Sequence, residues 1–138
     1  MRTWSRNSLN VYHSIDPCLR RIMDRVLHEV ADVSLVSGHR NSDQQDDLYR
    51  AGRSKVKWPN SKHNTIPSRA VDFQPYPYPD NEPKLWGSLG YIAGRAMAIA
   101  KEEGVILRWG GDWDGDGDTT NQSFDDLFHL EIVGACEH

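Results

Sequence analysis

Apolar residues in the first third of the chain recur at helical spacing. Leu19, Ile22, Met23, Val26, Leu27 and Val30 form one stripe on a helix that faces a core. Asp16 and Pro17 stand in front of that stripe as N-cap and first-turn proline, so the helix is predicted over 16–30. Residues 1–15 carry no such pattern and read as an irregular lead-in. Val33-Ser34-Leu35-Val36-Ser37 alternates as a strand and stops at Gly38. Ser42 with Gln45 reads as a capping box opening a second helix, which Gly52 closes. Residues 53–69 are loop-like. Ala70-Val71-Asp72-Phe73 is a short strand, and Pro75, Pro77 and Pro79 are expected to bar pairing beyond it. A third helix is predicted over 83–103, with Leu85, Leu89, Ile92, Ala93, Ala96 and Ala100 on one face and Gly104 at its end. Strands are predicted at 105–109 and 128–133. The order predicts an α+β fold, a small and mostly antiparallel sheet packed with about three helices.

A length of 138 residues suits one domain over 1–138 with a core large enough to fold unaided. No apolar run approaches ~18 residues, so no membrane span and no stable membrane association are expected. No apolar stretch follows the first residues, so no signal peptide is expected and synthesis in the cytosol is. Under that expectation Cys18 and Cys136 are reduced thiols, too few to make a disulfide framework, and no CxxC offers a thiolate metal site. A nucleic-acid partner is excluded by the lack of a polybasic run; Arg50, Arg53, Lys55, Lys57 and Lys62 read as a solvated, mildly basic loop.

Charge changes the picture more than composition does. The net charge is −4, yet the window 112–126 holds six aspartates and no Lys or Arg, which leaves the remainder positive. Such a concentration repels itself unless a cation answers it. Asp112, Asp114, Asp116 and Asp118 alternate with Gly115 and Gly117 placed for sharp turns, like the first half of an EF-hand loop, which marks a possible Ca2+ site. The twelfth position of such a loop is Ser123, so the usual closing Glu is missing.

His63, Asp72 and His129 could together hold a metal. Two imidazoles and a carboxylate suit a catalytic Zn2+ with a fourth position left to water. Asp72 sits between Val71 and Phe73, where a charge is costly unless paired or metal-bound; Arg69 is one available partner. In the last strand His129 and Glu131 share a face opposite Leu130 and Ile132. Taken singly, a loop histidine reads as a polar surface residue, and Arg40 as a salt-bridge partner of Asp43 or Asp47.

Taken together, Ser61-Lys62-His63, Ala70-Val71-Asp72 and Asp126-Leu127-Phe128-His129, with Arg40 after the first strand, resemble the M15 metallopeptidases over about residues 16–133. Small phage L-alanyl-D-glutamate endopeptidases are the nearest likeness, and D-alanyl-D-alanine carboxypeptidases and dipeptidases share the pattern. The resemblance implies a Hedgehog/DD-peptidase-like fold. It also implies Zn2+ held by His63, Asp72 and His129, Asp126 as the catalytic acid/base with Asp125 as rival, Arg40 steadying the oxyanion, and Ser61 helping to orient substrate. His63 and Asp72 lie nine residues apart, where many members have seven and a Gly, so a loop insertion is expected to reshape the cleft. A Ca2+-responsive loop is known from a phage subgroup at the position of the acidic window.

The expected function is a peptidoglycan endopeptidase and phage endolysin, a monomer acting on the bacterial stem peptide. It would be made in the host cytoplasm and released through a separate membrane-permeabilising protein. The same zinc site would serve a D-alanyl-D-alanine carboxypeptidase or dipeptidase. A non-catalytic Ca2+-binding wall module is the third reading. Trp109 and Trp113 are expected to pack beside the last strand, and Tyr76 and Tyr78 to edge a cleft.

Overall fold

The computed structural model describes residues 1–120, 122 and 125–136. Four antiparallel strands form one sheet in the order β1-β2-β4-β3, with β1 at Val33–Ser37, β2 at Ala70–Pro75, β3 at Ile106–Gly110 and β4 at Asp126–Val133. Alternation divides its faces. Val71, Phe73, Leu107, Trp109, Leu130 and Ile132 point into the core. There they meet helix α2 (Pro17–Arg25) and helix α4 (Glu82–Glu102). Asp72, Arg108, His129 and Glu131 fall on the other face, with Asp72 opposite His129 and Arg108 opposite Glu131 in register.

The predicted helix over 16–30 begins as expected, the Asp16 carboxylate accepting from the Cys18 amide at 2.8 Å. Its α-helical part ends at Arg25, and Val26–Val30 continue as a wider π turn that keeps Val26 and Leu27 fully buried. The lead-in is not irregular, since Arg6–Tyr12 form a helix, α1. Polar contacts hold it, which is why no apolar stripe announces it. Ser5 caps the Ser8 amide, the Leu35 amide donates to Ser8 Oγ, and the Tyr12 hydroxyl donates to Asp24 at 2.7 Å.

Helix α3 (Ser42–Arg50) starts one residue earlier than its predicted box. Asn41 and Gln44 form the reciprocal pair, and Gln45 is buried instead, donating to Ser54 Oγ and the Val56 carbonyl. Strand β2 also runs past the expected stop. Pro75 pairs with Val33, a place at the strand end where a missing N–H costs little.

The cysteines overturn the expectation of free thiols: Cys18 and Cys136 are joined in a disulfide. The first turn of α2 and the chain beyond β4 bring their Cα atoms to 6.5 Å, within bonding reach, although 118 positions separate them.

Candidate metal and catalytic site

Three segments deliver the predicted metal ligands to one point. The chain turns at Lys62–Asn64 in a short 3-10 helix capped by Ser61, whose hydroxyl accepts from the His63 amide. This turn buries His63, and its Nδ1 meets the Gly38 carbonyl at 2.6 Å. That carbonyl can only accept, so Nδ1 carries the proton and Nε2 presents a lone pair. Gly38 is required there, because a Cβ would lie 2.3 Å from Ser14 Oγ.

His129 is fixed from the opposite side. Its Nε2 meets Glu131 Oε1 at 2.8 Å, and Glu131 Oε2 accepts from Arg108 at 2.7 Å. The ring therefore turns Nδ1 toward His63 Nε2, 3.2 Å away. Asp72 Oδ2 accepts from Arg40 at 2.6 Å, and its buried Oδ1 has no hydrogen-bond partner. That oxygen lies 3.3 Å from His63 Nε2 and 3.4 Å from His129 Nδ1.

These three edges match the face of a tetrahedron drawn at zinc–ligand bonds of about 2.0–2.1 Å, whose edge is roughly 3.3 Å. The orphaned oxygen and the two lone pairs are what a cation would satisfy, and the group could hold a metal ion.

The charges agree. Burial alone would raise the Asp72 carboxyl, but His129, His63 and Arg40 hold it well below the usual range. Burial alone would lower His129, yet Asp72 and Glu131 push it up to about 9 in the metal-free chain. Glu131, despite its burial, is drawn down to about 2 by His129 and Arg108. Burial, and then the Asp72 charge, raise Asp126.

Asp126 opens β4 opposite Gly110, where a Cβ would come within 2.0 Å of the Asp126 carbonyl; only glycine allows that approach. It lines a cavity of about 340 Å3 shared with His63, His129, Ser61 and Arg40. Asp125 does not line that cavity; its Oδ1 accepts from Gln122. Arg40 pairs with Asp72 rather than Asp43 or Asp47, and Asp47 pairs with Arg50. Arg69 is not the partner of Asp72.

The structure also brings Asp112, Asp114 and Asp116 within ligand distance of one another. Asp112 Oδ1 is buried with no hydrogen-bond partner. The Asp116 amide favours charge on Asp114, yet desolvation and the carboxylates of Asp112 and Asp116 raise it. Asp118 is turned away and accepts from Thr120. Ser123 lies outside the described residues. Trp113 carries this loop to the metal site, its ring centroid 5.4 Å from that of His129. Trp109 packs into the core and donates to the Leu127 carbonyl. Tyr78 edges a second cavity with Arg40, Asp72 and Asp126, and both Tyr76 and Tyr78 are exposed.

Sequence reasoning assigned no role to Glu131, Arg108 or the Gly38 carbonyl. A period-2 signal was present for Glu131, two residues beyond His129, whereas a backbone acceptor leaves no trace in sequence.

The family profile for phage L-alanyl-D-glutamate peptidase matches residues 2–133. An L-alanyl-D-glutamate peptidase of Escherichia phage T5 is 32% identical over 137 residues, covering 94% of this chain and 97% of the relative. The crystal structure of the L-Ala D-Glu endopeptidase ChiX of Serratia marcescens shares the fold. It superposes with a TM-score of 0.70 at 24% identity, covering 94% of this chain and 89% of that one.

Proposed function

The chain belongs to the phage L-alanyl-D-glutamate peptidase family, and on that footing we propose that it is a zinc-dependent peptidoglycan endopeptidase and phage endolysin, cutting the L-alanyl-D-glutamate bond of the stem peptide. The observation that carries the zinc reading is the triangle of donor atoms with edges of 3.2, 3.3 and 3.4 Å. His63 through Nε2, His129 through Nδ1 and Asp72 through Oδ1 would hold the ion. Zinc bound there supplies a Lewis acid for the scissile carbonyl and lowers the pKa of a water.

Asp126 is the acid/base. Its carboxylate takes the proton of the attacking water and returns it to the amine of the departing glutamyl residue. Asp126 is preferred to Asp125 because it lines the cavity of the histidines. Arg40, anchored on Asp72, adds positive charge where the oxyanion develops. Ser61, which caps the His63 turn and lines the same cavity, helps orient the substrate.

Ca2+ is assigned to Asp112, Asp114 and Asp116, with Asp118 held in reserve by Thr120. An ion there would neutralise the acidic window and settle Trp113 against His129, so that Ca2+ tunes activity. Adding a Ca2+-selective chelator while zinc stays saturating should lower turnover; full activity under that treatment removes the regulatory role.

The working form is a monomer of one domain, made in the host cytoplasm and released to the wall through a separate membrane-permeabilising protein. No helix among the described residues is long and apolar enough to cross a membrane. The Cys18–Cys136 bond suits work on the oxidising side of that membrane. The test is digestion of purified peptidoglycan by the zinc-loaded protein, with mass spectrometry of the products. New amino-terminal glutamate on released stems is expected. Loss of terminal D-alanine alone would move the activity to the carboxypeptidase class, and an absence of zinc on elemental analysis would end the metallopeptidase reading.

A further inference from the structure

The cavity beside the metal ligands is basic in a chain that is acidic overall. Arg40, Arg53, Lys55, Lys62 and Arg108 line it, against the carboxylates of Asp126 and Glu131. Two of these cations are already answered, Arg40 by Asp72 and Arg108 by Glu131. Lys62 is different. It is partly buried, and its ammonium makes no hydrogen bond or ion pair with any described residue. The charges that act on it are Arg69, Arg108 and Glu131, two cations and one carboxylate. That carboxylate is fully used, one oxygen on His129 and the other on Arg108. Part-buried positive charge held near like charge with no counterion is costly, and an anion entering the cavity would relieve it.

We infer that Lys62, backed by Arg108, is a carboxylate subsite that selects substrates carrying a free carboxylate on the leaving-group side of the scissile bond. The inference rests on the peptidase reading above and deepens it. The chemistry of the substrate supplies such a group. A glutamyl residue has two carboxyls, and a chain that continues through one leaves the other free, whichever linkage is used. The glutamyl nitrogen is the scissile nitrogen, so this carboxylate lies a few bonds from the reaction. Lys62 directly precedes His63 in the same short turn, and both line the cavity. A charge-assisted contact there discriminates sharply against the neutral isostere, by roughly ten- to a hundredfold in kcat/KM.

The test uses two synthetic peptides that begin L-alanyl-D-glutamyl and continue into lysine through one glutamyl carboxyl. In one the second carboxyl is free; in the other it is the carboxamide. The wild-type protein, with zinc saturating, is expected to prefer the carboxylate by at least about tenfold. Lys62→Met is expected to bring the ratio close to one, and Lys62→Arg to keep most of the preference. Because the ratio is internal to each variant, a partly loaded or partly folded preparation alters both rates equally. Equal kcat/KM for the two peptides in the wild type overturns the subsite, as does a Lys62→Met variant that keeps the preference. Cleavage of neither peptide overturns the peptidase reading and the subsite with it.

Discussion

His129 presents its Nε2 to Glu131 Oε1 at 2.8 Å, and this contact decides which nitrogen of the ring faces Asp72 and His63. Glu131 is in turn held by Arg108 at 2.7 Å, so the orientation of a candidate metal ligand is fixed from strand β3. Replacing Glu131 by Gln removes the charge that favours Nε2–H. Zinc affinity is expected to fall by roughly 10–100-fold, since carboxylate partners of ligating histidines contribute about that much. Titration of the metal-free variant with zinc against a competing chelator measures it.

Asp126→Asn separates chemistry from metal binding. Among the described residues Asp126 makes no hydrogen bond or ion pair with His63, Asp72 or His129, so elemental analysis should find zinc at the wild-type level. The hydrolytic rate should drop by roughly a hundred- to ten-thousandfold, the range for a lost general acid/base. Unchanged turnover would remove Asp126 from the mechanism. His63→Ala, by contrast, should lose metal and activity together.

The disulfide predicts a difference between stability and catalysis. It ties α2 to the chain beyond β4, and neither cysteine lines the cavity that holds Asp126. Cys136→Ser is expected to lower the unfolding free energy by about 2–5 kcal/mol, the usual cost of losing a native bridge. Below its lowered melting temperature the variant should keep wild-type kcat/KM. Denaturant titration and a matched rate assay check both parts.

Tyr12 is expected to contribute stability that depends on pH. Burial, and then its hydrogen bond to Asp24, raise its hydroxyl from 10.0 to about 12. A group whose folded pKa is raised contributes stability that is fully present below its unfolded value. That contribution disappears as pH climbs from 10 toward about 12. Tyr12→Phe should cost about 1 kcal/mol or less at neutral pH, because the contact is partly solvated. The gap between wild type and variant should close above pH 10, read by thermal unfolding across the alkaline range.

The parts of this protein visible in its sequence are those governed by periodicity and by short chemical motifs. The stripe from Leu19 to Leu27 became α2 and its π turn, and the alternation around His129 became β4. His63, Asp72 and His129 converge as their residue types and their resemblance suggested. Features built from long-range polar contacts stayed hidden. Helix α1 is anchored by Ser8, Trp4 and Tyr12 on distant groups, so no local pattern marks it. The capping box at α3 lies one residue earlier, on Asn41 and Gln44, and Gln45 bonds the distant Ser54 and Val56 instead. The Cys18–Cys136 bond depends on where β4 ends in space, which spacing along the chain does not tell.

Asp72 and His129 face each other across paired strands in the middle of the sheet, where backbone ladders run on both sides. Part of the cleft rim, Arg53, Lys55, Val56 and Asn60, comes instead from the stretch between α3 and the His63 turn, outside the sheet. Such an arrangement separates that part of the rim from the strands that carry Asp72 and His129. Engineers who wish to redirect the protein to another bacterial wall can therefore vary positions 53–60 and leave the two central strands untouched.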